Sequence, residues 1–458
     1  MRPESLTCKI SDKPLGLYFF NALVVLLIIY VQFQNILGVP IKESMPQLSH
    51  AVFLVDKIFL FFLFLFLIYV RFLGAFLTFE DQKTRKRSSF AAVLKSERTF
   101  LTALVFFSSW CLISAVANEN NLKPTIFGTF AYIVYFLVFF AFSSIPYKKN
   151  LIKKNYIFLL NFVLFLSILS IFQEILALTY PSSINWWPNI QEEGARFRLG
   201  FFRAPSLLGH ANSIGMIALF FWTVELGKVR EIGLGRNAIK LTVLGLAILF
   251  SVSRAAIGGA LISLFLLVWG FLRRRTALLV LIAAAALIGF LGIKSMYPAG
   301  KKVEVGRHEI YREYCFWVSL EVFKDHPITG VGPGMYGGHV SIRYDSPIYT
   351  QYGFTGEYFN YLKYGVMSIE QLWLQALAEL GVLGTVLLTL LLLTPIIILS
   401  KLLSRENDTT LRGLIRGLRV MPFQMMIYMF GFTITQESQW LVPYFGFLGM
   451  LAGLRRRR

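Results

Sequence analysis

The sequence predicts an all-α integral membrane protein of about twelve transmembrane helices, on three observations. Of its 458 residues 56% are hydrophobic and only 15% charged, whereas soluble domains carry about a quarter charged residues. Apolar runs long enough to cross a ~30 Å hydrocarbon core at ~1.5 Å per residue recur along the whole chain. The strict alternation that marks membrane β-strands is missing.

Taken in order, the runs place spans at roughly 16–39, 51–79, 99–117, 125–145, 156–179, 211–227, 241–253, 255–272, 276–294, 370–400, 420–436 and 440–454. With the N terminus in the cytoplasm, the inside segments are 1–15, 80–98, 146–155, 227–240, 272–276, 401–419 and 454–458. These hold well over half of the 45 Lys and Arg, while the short outside connections carry only Lys42, Lys123 and Arg254. The positive-inside rule therefore puts both termini in the cytoplasm. On this reading the formal charge of +20 is mainly a topology signal. It is spread over short loops without an RNA or DNA module, so nucleic acid is not an expected partner. The first 15 residues are polar and the apolar run after them is too long for a cleaved leader, so the first span is expected to act as its own insertion signal.

Two outside segments, 180–210 and 295–369, are too long to be turns and are expected to cap a site. Within the second, "RHEIYREYCFWVSLEVFKDHP" predicts a helix with Tyr311, Cys315, Leu320 and Phe323 on one face, lying on or over the outer surface. The Gly- and Pro-rich "HPITGVGPGMYGG" follows, then the aromatic run "YTQYGFTGEYFNYLKYG". Tyr349, Tyr352, Phe354, Tyr358, Phe359, Tyr361 and Tyr364 could stack on sugar rings, or form an interfacial belt and the loop's own small core.

The arginines carry more chemistry. Arg203 precedes the sixth span, Arg254 sits at the outer end of the seventh, and Arg307 and Arg312 lie in the large loop. Guanidinium binds phosphate through a two-pronged fork and stays charged at low dielectric. Four of them at outer mouths point to an anionic ligand, against the plainer reading of snorkelling to lipid phosphates. Arg254 is the hardest to dismiss, because it occupies an almost absent loop where polar residues are costly. The five histidines have no ligand spacing, and no metal or other cofactor is expected.

"RAPSLLGHAN" before one span, "SVSRA" at the next outer turn, "DHPITGVGPG" outside, and a span opening on Glu370-Gln371 and continuing "LQALAELGVLG" occur in that order. This pattern resembles the O-antigen ligase and O-antigen polymerase family over residues 195 to 400. The resemblance implies a glycosyltransferase of the GT-C type with an outward-facing site. Such enzymes move a glycan from an undecaprenyl diphosphate carrier to an acceptor hydroxyl without a metal. It places Arg203 and Arg254 at motif arginines. For a third, counting back from Pro327 selects Arg312, the first choice, whereas the Gly-Arg dipeptide selects Arg307. Ligases resemble His-Asn where this chain has Glu370-Gln371, and several polymerases resemble Asp-Asn or Glu-Asn.

That departure implies a polymerase of lipid-linked repeats in the bacterial cytoplasmic membrane, with a chain-length regulator as a possible partner. Glu370 would act on the acceptor hydroxyl, and Gln371, Tyr358 and Tyr361 would contact acceptor or glycan. A ligase that transfers finished glycan to a lipid core or protein is the runner-up. A lipid-linked glycan flippase is the reading of another class. The plain alternative for Glu370 is a helix start, with Ser368 and Gln371 as a capping box. Glu379, about 13 Å further in, is expected to be a buried, hydrogen-bonded group.

Overall fold

The computed structural model describes residues 88–143, 147–180, 202–204, 206–208, 211–268, 307–354, 356–360, 369, 371–429 and 438–454. Side chains of 88–97, 268, 307–310, 312, 357–358, 427 and 438–439 are outside that description. All regular structure among these residues is helical. The long and medium helices are α1 (Ser88–Ala117), α2 (Leu122–Ser143), α3 (Lys149–Thr179), α4 (Ala211–Ile232), α5 (Ala238–Phe250) and α6 (Arg254–Val268). After them come α7 (Arg307–Asp325), the short α8 (His339–Arg343), α9 (Pro347–Gln351) and α10 (Gly356–Asn360), then α11 (Leu372–Leu403), α12 (Thr409–Tyr428) and α13 (Ser438–Gly453).

Four of these, from Arg98 in α1 and then α2, α3 and α11, are long and apolar enough to cross a membrane. Helices suit that setting because every backbone group is bonded within the segment. The expected spans 16–39, 51–79 and 276–294 lie outside the described residues.

Three helix starts differ most from the expectation. α1 starts at Ser88 rather than 99, α3 at Lys149 rather than 156, and α12 at Thr409 rather than 420. Hydropathy reports where side chains leave water, whereas a helix continues as long as its backbone bonds do, so all three helices run on through polar turns. The expected inside segment 401–419 thus reduces to a turn at 404–408.

Helix contacts sort the connections to two ends. At one end Lys149 at the start of α3 pairs with Glu406 at 2.5 Å, and Glu231 at the end of α4 pairs with Arg412 at 3.3 Å. At the other, Trp373 Nε1 at the start of α11 donates to Met426 O near the end of α12 at 2.7 Å. The segments expected inside (146–155, 227–240 and 401–419) share the first end. The large loop and the turns at 118–121 and 251–253 share the second. Assigning the first end to the cytoplasm rests on the charge rule.

Small residues let the pairs close. Gly413 and Gly417 form a Gly-x-x-x-Gly face on α12. A Cβ on Gly417 would stand 2.5 Å from Val224 Cα of α4, and one on Gly227 would stand 2.6 Å from Gly413 O.

The Gly- and Pro-rich stretch inserts into a break in α11. At Gly381 the backbone leaves the helix (φ 63°, ψ −169°), and the loop supplies the missing partners. Val331 N–H donates to Ala378 O (2.9 Å), Gly332 N–H to Glu379 O (2.8 Å), and Val382 N–H to Pro327 O (2.9 Å). Trp110 Nε1 of α1 caps Leu380 O at 2.9 Å. Irregular backbone among apolar helices persists only when its polar groups are satisfied in this way. Gly330 is obligatory here: its φ is +66°, and a Cβ would lie 2.3 Å from the Glu379 carbonyl carbon.

Glu379 is the centre of the insertion and fully buried. Its carboxylate accepts from Tyr132 Oη of α2 (2.7 Å), Tyr336 N–H of the loop (3.0 Å) and Gln375 Nε2 (3.3 Å). It is thus the buried, hydrogen-bonded group expected from the sequence.

The predicted helix in the large loop is α7. Its buried face is Tyr311, Cys315, Val318 and Val322, while Leu320 and Phe323 are half-buried. The observed face keeps the spacing of four, three and four residues that a 3.6-residue repeat requires, and the expected assignment drifted off it after Cys315. α7 packs on Tyr336 of the Gly- and Pro-rich stretch and on Tyr349 and Phe354, so these two members of the aromatic run help form the loop's own core.

Candidate functional site

Arg203 and Arg254 meet at the second end of the bundle, in a mouth formed by the chain before α4 and the turn between α5 and α6. α6 begins at Arg254 because Ser253 caps it. The Ser253 hydroxyl accepts from Ala256 N–H at 3.4 Å and its carbonyl accepts from Ile257 N–H at 3.0 Å, as an N-cap serine does. Gly215 of α4 makes room for this turn, since a Cβ there would stand 2.4 Å from Ser251 Oγ.

The Arg203 guanidinium is buried, with 8% of the residue exposed. Its Nη2 donates to Asn212 Oδ1 at 2.9 Å and its Nε to Ser251 O at 3.3 Å. Burial and then the charge of Arg254 pull its pKa down from the usual arginine range. Arg254 itself is exposed, at the first position of α6. A cation is the unfavourable charge at a helix N-terminus, and here a second cation stands close by. Charge, fork geometry and helix end all favour an anion in this mouth.

Backbone strain gathers at the same place. Arg203 (φ 56°), Ser206 (φ 57°) and Val252 (φ 45°) are left-handed without being glycine, a conformation that costs on the order of 1–3 kcal/mol per residue. The segment bearing two of them is gripped by one face of α3. Ser170 Oγ donates to Ala204 O (3.1 Å), and Gln173 Oε1 accepts from Ser206 N–H (2.7 Å). Glu174 Oε1 accepts from Phe202 N–H (2.9 Å), and Ser206 Oγ donates to Leu166 O (2.7 Å). This grip, together with Asn212 and Ser251, escapes the sequence reading. The one signal available was Ser170, Gln173 and Glu174 at helical spacing inside an apolar run.

The remaining candidates divide. Arg307 opens α7 and Arg312 lies within it, and their side chains are outside the described residues. Tyr358 belongs to α10 on the same terms, and Tyr361 and Glu370 lie outside the described residues altogether. α11 begins at Leu372 with Gln371 in the N-cap position, and the Gln371 side chain makes no cap bond. The capping box with Ser368 as N-cap and Gln371 three residues into the helix is therefore displaced, because extended backbone at Gln371 (φ −138°, ψ 91°) precedes the first turn. Gln371 Oε1 is buried without a hydrogen-bond partner among the described residues, an arrangement that suits an incoming hydroxyl donor. Among the described residues no three His, Cys, Asp or Glu side chains gather as metal ligands would.

Fold and site together define a polytopic helical membrane protein with an arginine-bearing mouth at one end. The model of the O-antigen ligase family matches residues 240–389, from α5 through the break in α11. Over that segment, about a third of its length, the chain is similar to the O-antigen ligase family. The matched stretch contains Arg254, Arg307, Arg312, Glu370, Gln371 and Glu379, and Arg203 falls before it. No curated protein matches the chain.

Proposed function

We propose that the protein is a metal-independent, inverting glycosyltransferase that polymerises undecaprenyl-diphosphate-linked oligosaccharide repeats on the outer face of the bacterial cytoplasmic membrane. The observation that carries this reading is the juxtaposition of Arg203 and Arg254 in a chain whose residues 240–389 match the O-antigen ligase family. In the transfer the bond from sugar C1 to the diphosphate oxygen breaks, and negative charge grows on the leaving oxygen. Preorganised guanidinium groups stabilise that charge without reorganising. The acceptor hydroxyl attacks C1 from the opposite face, forming the new glycosidic bond with inversion, and gives its proton to Glu370. A carboxylate near arginines is a weak base, so orienting the hydroxyl is its larger contribution. Gln371, the next residue in the chain, would accept a hydrogen bond from the same hydroxyl or its neighbour on its side-chain carbonyl.

The test incubates purified protein with lipid-linked repeats and resolves products by size. A ladder of repeat lengths supports the polymerase. A single shift of glycan onto an added lipid core would support the ligase, the reading that the family's own description favours. Glu370→Gln should cut ladder formation ~10²-fold at normal expression, and Glu370→His should retain part of the activity. Wild-type rate in Glu370→Gln would rule out Glu370 as the base.

A further inference from the structure

Glu174 lies on α3, outside the matched family segment, and is fully buried. Its Oε1 accepts from Phe202 N–H at 2.9 Å, and the same carboxylate interacts with the N–H of Ala204. Those two residues flank Arg203, whose φ of 56° is the kind of left-handed turn that brings neighbouring N–H groups together into an anion-holding concavity. A buried carboxylate therefore fills a nest built around the arginine. Oε2 is buried without a hydrogen-bond partner among the described residues, so an amide in its place would keep the acceptor for Phe202 N–H and remove the negative charge that the concavity holds. Ser170 completes the hold on the far side, donating to Ala204 O at 3.1 Å.

We propose that Glu174 is a positioning residue for the transfer reaction. It holds the backbone at Arg203 in the conformation that carries the guanidinium to Asn212, Ser251 O and the diphosphate. The assignment rests on the reading of Arg203 as a diphosphate ligand. A merely structural Glu174 would change stability alone, whereas a positioning Glu174 acts through Arg203, so its effect on diphosphate binding vanishes once Arg203 is gone.

The experiment measures undecaprenyl diphosphate binding to the purified full-length protein in detergent for wild type, Glu174→Gln, Arg203→Ala and the double variant. Arg203→Ala should weaken binding about a hundredfold and Glu174→Gln about tenfold. The double variant should match Arg203→Ala alone. Hydrogen exchange at the amides of 202 and 204 should speed up in Glu174→Gln.

Wild-type affinity in Glu174→Gln beside a weakened Arg203→Ala would overturn the Glu174 assignment and leave the diphosphate reading standing. Full additivity in the double variant, or unchanged amide exchange, would do the same. Wild-type affinity in Arg203→Ala would remove the diphosphate reading and this assignment with it. If Glu174→Gln does not fold, Ser170→Ala decides. A smaller loss of binding that disappears in the Arg203→Ala background supports the proposal, and no loss overturns it.

Discussion

Two loops return into the bundle at the same end, and a buried glutamate of a long helix grips each one. Glu174 of α3 takes the N–H of Phe202, and Glu379 of α11 takes the N–H of Tyr336. Their backbones reach positive φ by different means. The 326–338 loop does so at Gly330, Gly332, Gly334 and Gly337, whereas the 202–206 segment does so at Arg203 and Ser206. Glycine takes that conformation without steric cost but brings no side chain. Where the chain needs only a path, as in the insertion at Gly381, glycine serves. Where it needs a guanidinium and a hydroxyl at a defined point, a strained non-glycine is kept and its surroundings hold it there. The difference separates a loop that builds the scaffold from a loop that builds the proposed site.

The sharpest way to break this contrast is to remove the cations. Arg254→Ala or Arg203→Ala should lower the transfer rate by about 10²–10³, equivalent to ~3–4 kcal/mol of barrier, and for the exposed Arg254 the thermal midpoint should stay close to wild type. Lysine at either position should rescue poorly, since it restores charge without the fork. Full activity in Arg254→Ala, measured as repeat ladders per folded molecule, would show that the mouth is not the site.

The scaffold loop should answer in the opposite currency. Gly128 of α2 lies against the loop without belonging to it, and a Cβ there would stand 2.3 Å from Gly334 N. Because the obstacle is backbone rather than a flexible side chain, Gly128→Ala should destabilise by about 1–3 kcal/mol, read as a lower thermal midpoint. The rate per folded molecule should fall much less than in the arginine variants. A variant of normal stability but lost activity would merge the two loops into one functional unit.

The smallest expected effect lies at the other end of the bundle. Burial tends to raise the Glu406 carboxyl, but the Lys149 ammonium and the N–H groups of Asp408 and Asn407 outweigh it, leaving its pKa below the ordinary carboxylate value. Asp408, likewise partly buried, is held low by Lys153 and the N–H of Leu411. A depressed folded pKa means that the unfolded chain binds the proton more readily. The stabilisation is therefore complete above the unfolded value of about 4 and is lost as pH falls through the folded one. Thermal midpoints should be flat from neutral pH to about 5 and decline below it. Lys149→Met should remove only ~0.2–1 kcal/mol and flatten that decline. An equal loss of stability at pH 7 and pH 3 would mean that the ion pair contributes nothing.

By itself the sequence determined the class of this protein and much of its layout. Long apolar runs admit helices in lipid, so α2, α11 and α13 fall close to where hydropathy puts them, and a 3.6-residue pattern in a polar loop yields α7. Arg254 was legible as a candidate because a charged residue in an almost absent loop between spans is costly, and Arg203 because it stands beside the stretch APSLLGHAN that carries the family resemblance. Tertiary structure alone decided that these two arginines meet, 51 positions apart in the chain. It also decided that α11 breaks at Gly381 to admit the glycine loop, and that Glu174 and Glu379 each bind a backbone N–H far away in sequence. Periodicity and hydropathy measure each residue's own preference for lipid, water or helix. Which distant N–H a buried carboxylate satisfies is a property of packed helices, and no local pattern in the chain encodes it.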